Sequence, residues 1–166
     1  MKNWPEAMRD GMVSGALAAA TTVGMLALRG RREDGSAAAP LNAVSHVYWG
    51  DRALRQDGTS VRYTGAGLAT HVVSALLWGV LYEKLLGERS PRPLARLVCD
   101  TAAASAAIAA VDFGFVPDRL TPGFQHRLST ASLLGVYVAL GLGLAAGTRW
   151  SSSRSQRDAS HSPIAR

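Results

Sequence analysis

The sequence has little cysteine and lacks the short motifs of the common catalytic and metal sites. Cys99 is the single cysteine, which excludes a disulfide framework and a metal site built from several thiolates. The chain contains no HExxH, CxxC or GxSxG motif and no phosphate-binding glycine loop. Because no motif names a nucleophile or a base, we do not expect an enzyme of these classes and predict no organic cofactor.

Three long stretches also lack charge altogether. Residues 11–28, 63–82 and 128–148 contain no Asp, Glu, Lys or Arg, whereas the loops and the C-terminal end are rich in arginine. Helices of this length in a soluble bundle would each need a charged stripe, so that class is excluded. The net charge of +6 does not indicate a nucleic-acid partner, because the basic residues flank apolar runs instead of covering one face.

The uncharged stretches have the length of membrane spans. At a rise of about 1.5 Å per residue, about 20 helical residues cross the hydrocarbon core of a bilayer. Residues 94–116 form a fourth candidate, since Arg96 and Asp100 fall at one boundary and Asp112 at the other. We therefore predict an all-α fold: a four-helix transmembrane bundle in residues 1–148, surrounded by the lipid bilayer.

The remaining segments complete this prediction. Pro40 is followed by apolar residues at helical spacing, including Leu41 and Val44, which predicts a short interfacial helix in the first loop. Residues 149–166 lack apolar periodicity and are predicted to form a disordered basic tail. Four spans place both termini on one side, and a slight excess of Lys and Arg there favours the cytoplasmic side.

Small residues recur every fourth position on two of the predicted spans. Such faces let helix backbones approach closely in lipid, where apolar burial supplies no drive for association. They predict either a tight bundle or a homo-oligomer, and the sequence leaves both open. The helix-packing residues are Gly11 and Gly15 on the first span, and Ala131, Gly135, Ala139, Gly143 and Gly147 on the fourth.

Ionisable residues are predicted to gather at one leaflet, because the first and third loops emerge on the same side of a four-span bundle. Such groups at membrane depth indicate function more often than elsewhere. Imidazoles and carboxylates of this kind can bind a divalent metal, relay protons or, with Arg119 and Arg127, hold an anionic headgroup. The candidate polar cluster consists of His46, Asp51, His71, Asp112, Asp118 and His126.

Two loop segments, residues 42–51 (NAVSHVYWGD) and 120–129 (LTPGFQHRLS), carry a resemblance to a known group of proteins. They resemble segments of a family of small, functionally uncharacterised bacterial inner-membrane proteins with about four transmembrane helices. The resemblance runs from about Pro40 to Gly147. It implies a multi-pass protein of the bacterial inner (cytoplasmic) membrane, and it implies no catalytic residue.

Three functions from different classes follow from these patterns. The first is an accessory or scaffold subunit that packs against itself or a larger membrane protein through its Gly/Ala faces. The second is a transporter or channel component for protons or a metal, with His71 and Asp112 at its mouth. The third is a membrane-embedded enzyme acting on lipid, with His46 and His126 in its site.

Overall fold

The structure, a computed structural model, describes residues 1–88, 90 and 92–161. This part of the chain is largely helical and contains no strand. Its four long helices are α1 (Trp4–Glu33), α5 (Ala66–Leu85), α6 (Leu94–Gly114) and α7 (Thr130–His161). The first loop holds the short helices α2 (Ala39–Val44), α3 (His46–Trp49) and α4 (Asp51–Leu54), and then a π-helical turn, Val61–Gly65, that leads into α5. Two 3₁₀ turns, Asp118–Leu120 and Phe124–His126, form most of the third loop.

The four long helices are the spans that the sequence predicts. Each is long and apolar enough to cross a membrane, by length and composition. The all-α prediction is therefore confirmed, and the composition of the four helices fits a multi-pass membrane protein.

Local signals fix the start of α1. The Asn3 side chain accepts a hydrogen bond from the Glu6 backbone N–H at 2.9 Å, and the Glu6 carboxylate accepts one from the Asn3 N–H at 3.0 Å. This reciprocal capping box satisfies two of the donors that a helix N-terminus leaves free, and Pro5 supplies a backbone angle suited to the first turn.

Helix α1 lies at the centre of the bundle. It packs along both α5 and α7, whereas α6 packs on α7. Helices α5 and α6 share little contact within the described residues, so they stand as two arms on either side of the α1–α7 pair. The gap between these arms positions the site described below.

Glycines bring the central helices into backbone contact. A Cβ atom added to Gly143 would lie 2.6 Å from the Ala18 nitrogen, and one added to Gly147 would lie 2.8 Å from the Ser14 nitrogen. These pairs run in opposite directions along the chain, so α1 and α7 are antiparallel. Such distances exclude any side chain, so the predicted glycine face on α7 packs within the chain itself.

The other predicted packing residues divide into two groups. Gly11 and Gly15 face α5, where a Cβ on Gly15 would lie 2.6 Å from the Leu76 Cα. Ala139 is buried, and its carbonyl accepts a hydrogen bond from Thr21 Oγ1 at 2.8 Å. Gly135 only approaches Met25, whose sulfur would lie 3.7 Å from an added Cβ, and Ala131 is exposed. The closest contacts of α7 with α1 therefore lie in the C-terminal part of the predicted glycine face, at Gly143 and Gly147.

The first loop differs from the predicted surface helix. Residues 39–46 are all buried, and α2 packs on α1, α5 and the third loop. Two glycines permit this depth: a Cβ on Gly30 would lie 2.6 Å from Pro40, and one on Gly67 would collide with the Leu41 carbonyl. The predicted short helix is therefore present as α2, but it is buried against the long helices and covers one end of the bundle.

The segment predicted as a disordered tail also differs. Helix α7 continues without a break from its apolar part to His161, and residues 162–166 lie outside the described part. Ser151 and Ser152 are buried beside the start of α1, and Thr148 donates a hydrogen bond to Glu83. These tertiary contacts stabilise a helix that the apolar pattern does not predict.

Candidate functional site

A cavity of about 120 Å³ lies between the two arms of the bundle. Its walls come from α5 and α6, its floor from α7 and α1, and its roof from the first and third loops. We call it the α5–α6 cavity and define it by His71, Ser74 and Trp78 of α5, Asp112 of α6, Tyr137 of α7 and Phe124 of the third loop. Its lining is mainly apolar, with a few polar groups.

His71 lies on one wall of this cavity and is held by α1. Its Nε2 atom lies 2.7 Å from the Thr22 hydroxyl oxygen, and that hydroxyl donates to the Ala18 carbonyl at 2.7 Å. Because the Thr22 proton is used in this way, the imidazole donates from Nε2 and keeps its lone pair on Nδ1. Within the described residues Nδ1 has no partner, so it remains an acceptor for the cavity.

Asp112 lies on the opposite wall and is held by α7. The Tyr137 hydroxyl donates to Asp112 Oδ2 at 2.8 Å, and the Tyr137 ring packs edge-on against Phe113 with centroids 5.7 Å apart. The second carboxylate oxygen has no partner in the described part of the chain. The cavity therefore presents hydrogen-bond acceptors from two sides.

The two residues that the sequence places at the predicted mouth, His71 and Asp112, thus line the same cavity. The other four members of the candidate cluster do not join them. Asp51 begins α4 and is exposed, and the Asp118 side chain is also exposed. The His46 and His126 rings lie near each other in the roof, with centroids 6.4 Å apart.

His46 ties the two loops of the roof together. Its Nδ1 lies 3.0 Å from the Ala43 carbonyl oxygen and its Nε2 lies 3.3 Å from the Asp118 carbonyl oxygen. Carbonyl oxygens only accept and a neutral imidazole carries one N–H, so His46 donates to one of these two carbonyls while its other ring nitrogen lies against the second. Among the residues that the structure describes, no group of three or more His, Cys, Asp or Glu side chains could hold a metal ion.

Replacing His46 by alanine is expected to lower the free energy of unfolding by about 2 kcal/mol, because one hydrogen bond to a loop carbonyl is lost and the buried ring leaves a void. His126→Ala is the matched control, since that ring is exposed, and we expect a change below about 0.5 kcal/mol. Thermal unfolding in detergent measures both, and equal effects would contradict a structural role specific to His46.

Further contacts hold the roof in place. Gly123 adopts a φ of +83°, and a Cβ there would lie 2.6 Å from His46 Nδ1, so the third loop turns tightly against the first. Arg127 donates to Asp34 at 2.6 Å and also to Asp57. Burial disfavours the charged guanidinium, but these ionic hydrogen bonds outweigh it and raise the pKa of Arg127 above its usual value.

Asn42 is the fully buried polar centre of the first loop. Its side-chain nitrogen donates to the Gln56 and Gly58 carbonyls at 2.8 and 3.0 Å, and its oxygen accepts from Thr64 Oγ1 at 2.6 Å. Residues 42–51 and 120–129 therefore form much of the roof of the cavity.

A buried ionic cluster at the opposite end of the bundle was not predicted. Glu83 has no exposed surface and accepts hydrogen bonds from Lys2 at 2.7 Å, Ser14 at 2.7 Å and Thr148 at 2.6 Å. Lys2 also pairs with Asp10 at 2.7 Å. We call these five residues the polar clamp. The polar clamp joins α1, α5 and α7. The one sequence feature that points to it is the position of Glu83, directly after the uncharged residues 63–82.

Comparison of the chain with protein-family models, with curated proteins and with solved structures found no match in any of the three.

Proposed function

We propose that the protein is a multi-pass protein of the bacterial inner membrane, with cytoplasmic termini, that binds an amphipathic molecule from the bilayer in the α5–α6 cavity. The observation that carries this proposal is the cavity itself, an apolar space with His71 and Asp112 on opposing helices. Ligand sites are typically apolar hollows in which a few polar groups fix the orientation of the ligand. The length and apolar composition of the four long helices support the membrane location.

The polar groups define the chemistry of the ligand. His71 Nδ1 and the second oxygen of Asp112 are acceptors, so they favour a head that donates hydrogen bonds, such as a ring hydroxyl. The α5–α6 cavity, at about 120 Å³, is somewhat smaller than the roughly 150 Å³ apolar cavity that accommodates benzene, so a single small ring is the largest group that we propose for it. A lipid-like tail would leave through the gap between α5 and α6, where the bilayer meets the cavity.

The three functions predicted from the sequence receive less support. The tight glycines that a scaffold would use for a partner already pack within the chain. The polar clamp and the close contacts of α1 with α5 and α7 occupy the end of the bundle opposite the α5–α6 cavity, which does not favour a transport path between these helices. Catalysis on lipid was predicted to use His46 and His126, but the His46 ring nitrogens lie against backbone carbonyls and the two ring centroids are 6.4 Å apart in the roof.

Filling the cavity should abolish binding of a suitable probe. We expect 4-octylphenol to raise the unfolding temperature of the purified protein in detergent, because a ligand that binds the folded state stabilises it. Ser74→Phe places a ring in the cavity and should remove this shift. Val73→Phe is the matched control, since the neighbouring side chain is 66% exposed and points away from the cavity lining.

A second probe tests the role of the acceptors. 4-Octylanisole has the same ring and tail but no hydroxyl donor, and we expect it to bind at least about tenfold more weakly. An equal shift with both probes, or an unchanged response of Ser74→Phe to 4-octylphenol, would overturn the proposed function.

A further inference from the structure

The C-terminal extension of α7 has two different faces. Thr148, Ser151 and Ser152 are buried against the rest of the bundle. At about 100° per residue, the opposite side of the helix groups its basic and aromatic residues within an arc of about 140°. We call this side the arginine face; it consists of Arg149, Trp150, Ser153, Arg154 and Arg157, which line one common hollow.

The arginine face lies at the depth of lipid headgroups. The charge-free part of α7 ends at Thr148, so Arg149 is the first residue past the predicted hydrocarbon boundary. The headgroup layer is about 5–8 Å thick, and Arg154 lies about 7.5 Å further along the helix axis than Arg149. Trp150 is 66% exposed at this level, where tryptophan anchors proteins in membrane interfaces.

Two charges on this face, those of Arg149 and Arg154, are not paired with a carboxylate of the described chain. Elsewhere, Arg92 pairs with Asp100 at 2.6 Å and Arg127 pairs with Asp34 at 2.6 Å. Arg149 and Arg154, in contrast, have no carboxylate partner within the residues that the structure describes. Guanidinium groups bind phosphate through paired hydrogen bonds, so two such groups beside one hollow suit a phosphate ester.

The hollows beside Arg149 have room for a headgroup. One of about 560 Å³ runs along Arg149, Arg154 and Arg157. Another of about 180 Å³ adjoins it and is bordered by Arg149, Ser152 and Gln156. Both hollows include Arg149 and Ser153, so one bound phosphate could contact the guanidinium and the hydroxyl together.

We propose that the arginine face binds the headgroup of an anionic phospholipid. The lipid phosphate contacts Arg149 and Arg154, Trp150 lies beside the glycerol region, and the acyl chains continue into the bilayer along the apolar part of α7. This site lies on the side of the membrane opposite the roof of the α5–α6 cavity and does not depend on the function proposed for that cavity.

Lipid binding by the purified full-length protein tests this proposal. Native mass spectrometry in a nonionic detergent would measure retention of dioleoyl phosphatidylglycerol and of dioleoyl phosphatidylcholine. Because each cation near an anionic lipid surface contributes about fivefold in affinity, Arg149→Gln with Arg154→Gln should weaken phosphatidylglycerol binding by about twentyfold or more. Binding of phosphatidylcholine should not change.

The matched control removes two charges from the other end of the bundle. Arg31→Gln with Arg32→Gln should retain phosphatidylglycerol as the unmodified protein does, since both residues are exposed at the far end of α1. Equal loss in both double variants, or no loss in the first, would overturn the proposal. Equally tight binding of soluble sn-glycerol 1-phosphate would also overturn it, because the site would then recognise a free phosphate ester and not a lipid.

Discussion

Replacement of Glu83 by leucine is expected to lower the free energy of unfolding by roughly 3–5 kcal/mol. The carboxylate is fully buried and accepts hydrogen bonds from Lys2, Ser14 and Thr148. Leucine fills a similar volume but leaves the buried Lys2 ammonium with Asp10 as its remaining carboxylate partner in the described chain. Two hydroxyls also lose their acceptor, and each unsatisfied group adds to the cost. Thermal unfolding in detergent, followed by circular dichroism, measures the change.

Two further variants show whether the loss of stability comes from the polar clamp or from the removal of any carboxylate. Glu88→Gln removes a carboxylate from a largely exposed ion pair with Arg96, so it should change stability by less than about 1 kcal/mol. Lys2→Met combined with Glu83→Leu removes both charges and should be more stable than Glu83→Leu alone. If Glu83→Leu unfolds at the same temperature as Glu88→Gln, the clamp does not hold the helices together.

Replacement of Gly143 by leucine is expected to destabilise the bundle by about 3 kcal/mol or more. The new Cβ would lie 2.6 Å from the Ala18 nitrogen and 2.5 Å from Thr21 Oγ1, and the α1 backbone cannot yield as a flexible side chain would. Helices α1 and α7 must therefore separate along their seam. Thermal unfolding and the rate of limited proteolysis of the purified protein both report this loss.

Gly135→Leu is the matched control, because it adds the same side chain to the same face of α7. There the nearest atom is the Met25 sulfur at 3.7 Å, and methionine adapts readily to a new neighbour. Both substitutions gain helix propensity over glycine, so this effect cancels between them. A similar unfolding temperature for the two variants would contradict the importance of the close contact between α1 and α7.

The sequence was sufficient to predict the four long apolar helices and to place His71 and Asp112 on the same side of the bundle. Uncharged runs mark the spans because a charge at the bilayer centre is costly, and this signal is local. Topology then places the C-terminal end of one span near the start of another. For this reason His71 and Asp112 were expected on the same side, and both line the α5–α6 cavity.

The remaining features depend on contacts between distant residues. Lys2 and Glu83 are 81 residues apart, and no periodicity relates them. The burial of α2 depends on Gly30 and Gly67, which admit it between two long helices. The helical extension of α7 depends on the polar surface that α1 offers to Ser151 and Ser152. An apolar pattern indicates whether a segment prefers lipid or water, but it does not indicate which distant residues contact each other.

A seam of small residues does not by itself fix how far α7 is shifted along α1, and the polar clamp helps to fix this axial position. Since glycine and alanine recur every fourth residue on α7, sliding this helix by one turn past α1 would again align small residues with small residues. The same slide would carry Thr148 about 6 Å from Glu83 and break their bond. The hydrogen bond between Thr148 and Glu83 therefore favours one axial alignment of α7 among several that the small residues alone would permit.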